Sequence, residues 1–394
     1  MLLLGVVQLS WEGPLVTGFF RLARWAGDWV LRLGLPLWVS GILLLLLGSV
    51  LIALGIRWMN RSVISALTDL RDIPERVYQQ RRLERGPSIV ALGGGTGLSR
   101  VLRGLRQETA NITAIVAVTD DGGSTGRLRS SFGVPAVGDL VDCLSALSEA
   151  RDLPELLRYR FERGGELAGH TFGNLMLVSL NELEGSFAEA LRQANQILRL
   201  RGAVWPATPQ PVRLWALRED GVKVEGETAI RERRGRILRV GIEPERVASM
   251  PEALEAIRHA SLIVLGPGSL YTSVIPSFLP PEIQTALRAS AGKICYIANV
   301  MTEVGETDGL SAGDHFRAIQ EHLGRVPDLV LAHTAAIEAG LLERYRQEGQ
   351  VPVELDLEGL EASGVQVIRG DFLEQGSLAQ HDPEKLVRAL LSLG

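Results

Sequence analysis

Three stretches of this 394-residue chain carry residue types that do chemistry. In "VTDDGGSTGRLR" an apolar run ends in Asp120 and Asp121, passes through Gly122, Gly123, Ser124, Thr125 and Gly126, and reaches Arg127 and Arg129. Nothing there could fill a core. Carboxylates so placed can hold a ribose hydroxyl or a divalent cation, since hard oxygen ligands suit Mg²⁺, and guanidinium pairs with phosphate. The bland alternative is a solvated turn with surface charges. In "ALGGGTGLSR", Gly93, Gly94, Gly95 and Gly97 surround Thr96, and in "IVLGPGSLYTSVIP" Gly266, Pro267 and Gly268 precede Ser269, Tyr271, Thr272 and Ser273. Glycines where a strand hands over to a helix let an anion approach free backbone N–H groups. One such turn is also what a purely structural connection needs, and the first spacing is not quite GxGxxG. Two together suggest a divided site for a nucleotide and its phosphates. The Walker pattern GxxxxGK[ST] is absent, which argues against ATP hydrolysis by that machinery.

Two further clusters are polar beyond what turns require. "AGHTFGN" places His170, Thr171 and Asn174 at a helix start, and "NVMTEVGETDGLSAGDH" carries Asn299, Thr302, Glu306, Thr307, Asp308, Asp314 and His315 after a strand. Capping accounts for some of these, Asp314 especially.

The elements that must position these residues read as α/β. "SIVALGGG", the helical spacing of 98–107 and "ITAIVAVT" make a strand, glycine turn, helix and second strand, which implies a parallel sheet with a right-handed crossover. Helical spacing returns from Asp139 onward. Short alternating runs separated by "EDG" and "RRG" predict an antiparallel insertion over about 203–243. "SLIVLGPGS", "KICYIANV", "DLVLAHT" and "VQVIRGD" resume the buried-strand pattern. The expected fold is a Rossmann-like parallel sheet with helices on both faces. Asp120, Asp121 and both glycine loops would then share its carboxyl edge, where such sheets bind ligands.

The net charge of -5 and dispersed arginines give no case for nucleic acid. Cys143 and Cys295 lie in apolar runs and read as buried thiols. The N-terminus differs from the rest. Residues 35–56 carry no charge, long enough at about 1.5 Å per residue to cross the roughly 30 Å hydrocarbon layer. Within an N-terminal membrane anchor over 1–56, residues 2–20 are a weaker candidate span, and 21–33 have the spacing of an interfacial helix. Arginine-rich 57–86, read as a helical linker, places the domain at 87–394 in the cytoplasm.

In order along the chain, "GGGTGLS", "ITAIVAVTDDGGSTGRLR", "VGDL", "GHTFGNL", "GPGSLYTSVIP" and "NVMTEVGETDG" resemble the YvcK-like gluconeogenesis factors, relatives of the 2-phospho-lactate transferase CofD. The resemblance covers roughly 88–380. It implies a domain that binds a nucleotide sugar such as UDP-N-acetylglucosamine and supports cell shape and growth on gluconeogenic carbon sources. By motif, Gly94, Gly95, Thr96 and Gly97 would hold the nucleotide, and Gly266, Gly268, Ser269 and Thr272 its phosphates. Asp120 and Asp121 would face the ligand, Asn174 and Asn299 would line the pocket, and Arg127 would meet negative charge. A homo-oligomer and envelope-synthesis partners are also expected. Val141 and Asp142 depart from the family's Arg-Asn pair. The loop reads GPGSLYTS, as in the regulatory branch, and not GPSNP, which favours a binder over a catalyst. The alternatives are a transferase of the CofD kind, with Asp120 or Asp121 as catalytic or Mg²⁺-binding groups, and, more remotely, a nicotinamide-dependent dehydrogenase.

Overall fold

In a computed structural model of the chain, the described residues are 37–67, 73–150, 152–362, 364–376 and 378–392, with Arg21, Arg24 and Trp25. The chain divides into two compact units, 1–78 and 79–394.

In the first unit a helix runs from Leu37 to Leu67. Trp38, Leu45, Leu51, Ile52 and Trp58 are exposed along it. Among the described residues no helix is long and apolar enough to cross a membrane, so the span expected over 35–56 is not established. The weaker span at 2–20, and the interfacial helix apart from Arg21, Arg24 and Trp25, lie outside the described residues.

The second unit is built on seven parallel strands: β1 (Ile89–Gly93), β2 (Ile112–Val116), β3 (Ala203–Pro206), β7 (Leu262–Leu265), β8 (Lys293–Ile297), β9 (Leu329–His333) and β10 (Gln366–Gly370). Their order is β10-β9-β8-β7-β1-β2-β3. The central strands are buried on both faces, which is why they read as continuous apolar runs. Leu92 of β1 stands between Ile115 and Leu265. Helices cover the faces, among them Gly95–Leu105, Gly138–Leu147 and Pro383–Leu391. Gly104 lets Pro383–Leu391 approach, because a methyl there would press on the Pro383 carbonyl and Val387.

Strands β4 (Arg213–Arg218), β5 (Lys223–Glu225) and β6 (Ile237–Glu243) form a separate antiparallel sheet, order β5-β4-β6. Its alternating burial matches the alternating sequence. β3 sits instead at the edge of the main sheet, paired with β2, so the insertion proper starts after 206. Arg218 is fully buried and ties this sheet together, donating to the carbonyls of Gly235, Ile230 and Arg233 and, at 3.1 Å, of Gly305. Cys143 and Cys295 are free and buried.

Candidate functional site

The chain leaves β1 toward β2 and β3 on one side, and later fills the other side with β7 to β10. The order therefore reverses between β1 and β7. Parallel α/β sheets bind ligands beyond the carboxyl ends of the strands at such a reversal. Both glycine loops lie there. Gly93 has φ +154° and Gly266 φ +83°, and a methyl on Gly97 would overlap the Pro267 carbonyl. These glycines thus let the two loops touch each other as well as leave backbone open.

Carboxyl groups from elsewhere in the fold fill the loops. Asp139, half-buried, accepts from the Gly95 N–H, and a side chain on Gly94 would strike its Oδ2. Burial, then Asp120 and Asp142, push its pKa up to about 7. Glu306 is buried and accepts the Tyr271 N–H at 3.1 Å and the Thr272 hydroxyl at 2.8 Å. Burial, then Glu303, push its pKa up to about 8. Glu303 accepts from the Ser269 hydroxyl at 2.5 Å, and burial raises its pKa too. Glu227, from the helix Glu227–Glu232, is pushed up to about 9 by burial, then by Asp120, Asp139 and Glu306. Ser269 and Thr272, expected on phosphate, therefore donate to internal carboxyls in this structure.

The acidic turn is also largely satisfied from within. Asp120 Oδ1 accepts the Gly122 N–H at 2.9 Å. Asp121 Oδ1 accepts the Thr228 N–H at 3.0 Å and its hydroxyl at 2.7 Å, which fastens the turn to the insertion. Arg129 donates to the carbonyls of Thr119 (3.0 Å), Asp120 (2.6 Å) and Val212. Arg127 donates to the Ala168 carbonyl at 2.8 Å. Asn174 Nδ2 donates to Ser124 Oγ at 3.1 Å, and that hydroxyl lies 2.8 Å from His170 Nδ1. Asp121, Arg127 and His170 border a different cavity of about 770 Å³, together with Phe132 and Leu167. Among the described residues no group of three or more His, Cys, Asp or Glu is arranged to hold a metal.

The main cavity, so called for its place at the sheet reversal and not for its size, is about 490 Å³ and opens beside the paired loops. Thr96, Gly97 and Arg100 form one wall, Gly268, Ser269 and Asn299 another, and Arg231, Glu303, Tyr345 and His381 complete it. Arg100 pairs with Glu374 and reaches the His381 carbonyl, while Arg231 is exposed. Asn299 Nδ2 donates to the Gly268 carbonyl at 3.0 Å, and its Oδ1 is buried without a hydrogen-bond partner. His381 Nε2 is likewise buried and unpartnered. Such orphans are costly unless something satisfies them.

Val141 is buried, and a methyl on Gly173 would collide with it. Asp142 faces Arg103 and Arg158 in a third cavity of about 290 Å³. Neither borders the main cavity, so the departure from the Arg-Asn pair does not touch its walls. Asp139, Glu227, Glu303, Arg231 and His381 were not singled out from sequence. Asp139 lies inside one recognised motif, "VGDL", and Glu303 inside another, "NVMTEVGETDG".

The CofD family, described as 2-phospho-L-lactate transferase CofD, matches residues 89–373. A Deinococcus radiodurans protein is 43% identical over 390 residues, 98% of this chain and 83% of its own length. A Bacillus subtilis protein named gluconeogenesis factor is 42% identical over 78% of this chain and 98% of its own. The crystal structure of a Bacillus halodurans protein, 43% identical, superimposes with a TM-score of 0.76 over 78% of this chain and all of that one.

Proposed function

The chain belongs to the CofD family, among its gluconeogenesis factors, and from that premise we propose that it is a regulator that binds a nucleotide sugar of the UDP-N-acetylglucosamine type. The observation that carries this reading is the main cavity at the reversal between β1 and β7, with glycine backbone from both loops, Gly97 and Gly268, in its wall. Its volume falls within the range of small-molecule sites. The phosphates would lie along Thr96, Gly97 and Gly268, where Arg231 supplies positive charge. Ligand binding is then a signal passed to envelope-building partners, and through them to cell shape and growth on gluconeogenic carbon.

The tether belongs to the same proposal. The apolar side chains exposed on helix Leu37–Leu67 need an apolar surrounding, and uncharged 37–56 would give about 30 Å of helix. The arginines after it would hold the large unit on the cytoplasmic side of the cell membrane. Self-association of the chain is part of the proposal as well.

Titration calorimetry of the full chain in detergent with UDP-N-acetylglucosamine tests the reading. Saturable binding with the ligand recovered intact supports it, and absence of binding to folded protein removes it.

A transferase is the second reading, favoured by the family's description. Asp120 is the acid it would use, because Asp121 is held by Thr228. Mg²⁺ belongs to that reading alone. Release of a nucleoside monophosphate from a phospholactyl donor plus acceptor, lost in Asp120→Ala, would establish it.

A further inference from the structure

Three helices each turn polar side chains to the cavity of about 290 Å³ that Asp142 borders. Ser99, Arg103 and Arg106 follow one another at i, i+4 and i+7 along helix Gly95–Leu105 and its C-cap, so they share one side of it. Asp142 and Ser145 come from one side of helix Gly138–Leu147, and Arg158 ends helix Leu153–Arg158. The backbone engages only part of each guanidinium. Arg103 Nε donates to the Ser99 carbonyl at 3.4 Å and Arg158 Nε to the Pro154 carbonyl at 3.1 Å. Both side chains are exposed, and among the described residues their Nη groups have neither a hydrogen-bond partner nor an ion pair. Arg106 gives Nη1 to the carbonyls of Ala146 (2.8 Å) and Ser148 (3.0 Å). Asp142, the one acid lining the cavity, is half-buried and makes no ion pair among the described residues either. Three guanidinium charges against one carboxylate leave two positive charges in excess. Burial, then Arg158 and Arg100, lower the pKa of Arg103, with Asp142 opposing and Arg106 adding to them, which is the direction that crowded positive charge produces.

We propose that this cavity is a second anion site, which takes the phosphate group of a small soluble phosphomonoester through the free Nη donors of Arg103 and Arg158, with Arg106 adding charge. Guanidinium forks match the oxygens of a phosphate, and a dianion balances the excess charge. Asp142 works against the bound anion, so a neutral side chain there would bind it more tightly. None of the lining residues borders the main cavity, although Thr96, Gly97 and Arg100 of the same first helix do. The site therefore stands or falls apart from the nucleotide-sugar reading.

The test is calorimetric titration of the full chain in detergent, at low ionic strength, with inorganic phosphate and with glycerol 3-phosphate. Wild type is compared with Arg103→Gln, Arg158→Gln, Asp142→Asn and, as the control in the main cavity, Arg231→Gln. None of the altered side chains is buried, and matching melting curves check that every variant is folded. Loss of a charged donor to a bound anion weakens affinity about tenfold or more. We expect that loss for both probes in Arg103→Gln and Arg158→Gln, and a gain of about threefold or more in Asp142→Asn, where no carboxylate repels the anion. Arg231→Gln leaves this binding within about twofold, because its side chain lines the other cavity. Binding that responds to Arg231→Gln and not to the Arg103 and Arg158 variants belongs to the main cavity and overturns the proposal. An Asp142→Asn chain that binds no more tightly than wild type overturns it too. Succinate held more tightly than phosphate, with the same dependence on Arg103, overturns the phosphate assignment in favour of a carboxylate site. A folded wild type that takes up neither probe overturns the site altogether.

Discussion

Replacing Glu306 by Gln should stabilise the protein, and increasingly so as pH rises. Glu306 is buried, its two oxygens take the Tyr271 N–H and the Thr272 hydroxyl, and Glu303 lies beside it. Its ordinary carboxyl pKa of 4.5 is raised to about 8 in the fold, first by burial and then by Glu303. Between those values the folded protein binds a proton that the unfolded chain has released. Stability is therefore fully present below the unfolded pKa and falls as pH rises through the folded one, at about 1.4 kcal/mol per pH unit per group. A Gln side chain keeps an acceptor for Tyr271, never ionises, and can donate to the Thr272 oxygen. At neutral pH its advantage reaches about 3 kcal/mol as an upper limit, and near pH 5 it shrinks to less than about 1 kcal/mol. In a unit of this size each kcal/mol moves Tm by roughly 1.5 °C. Melting curves of wild type and Glu306→Gln from about pH 5 to about pH 8 would show a gap that widens with pH. A variant less stable at every pH, with the wild-type slope, would refute the reasoning, because it would mean that the fold needs the charged carboxylate.

Asp139→Asn should remove the repulsion between this half-buried carboxylate and a ligand's phosphates. Wild-type affinity for pyrophosphate is expected to fall as pH rises through about 7, and the variant's to stay level. Asp121→Ala deletes both bonds to Thr228, at a cost of about 1–3 kcal/mol. Faster hydrogen exchange over 226–232 and a lower Tm check it. Arg218→Lys cannot reproduce a fork that serves four carbonyls. A loss of about 2 kcal/mol or more is expected, read by denaturant titration. Val141→Arg should destabilise by about 1–3 kcal/mol through overpacking against the start of helix Phe172–Glu184, with nucleotide-sugar binding by the folded fraction unchanged.

What the sequence made legible is what local pattern controls. Continuous apolar runs became the buried strands β1, β2 and β7 to β9, alternation in 213–243 became the small antiparallel sheet, and the glycines marked the two loops. The register of those loops against each other follows from strand order, which no single segment encodes. The carboxyls that fill the loops come from remote positions: Asp139 opens a helix well past β2, and Glu303 and Glu306 follow β8. Only tertiary packing brings them to the glycines. Local pattern leaves open whether Arg127 or Arg129 meets phosphate; in the fold Arg129 bonds three backbone carbonyls and Arg127 one. Nothing local distinguishes the two uses. His381 lies in the C-terminal segment and reaches the cavity only because that segment packs beside helix Gly95–Leu105. The buried Arg218 gave no signal either, since an arginine in an alternating strand reads as solvent-facing.

The central claim is that the cavity between the two glycine loops binds a nucleotide sugar without consuming it. Calorimetric titration of the full chain with UDP-N-acetylglucosamine, followed by chromatography of the recovered ligand, tests it most directly. The account expects one saturable site per chain and intact ligand. A folded protein that gives no heat of binding, or that returns a cleaved nucleotide, would contradict it.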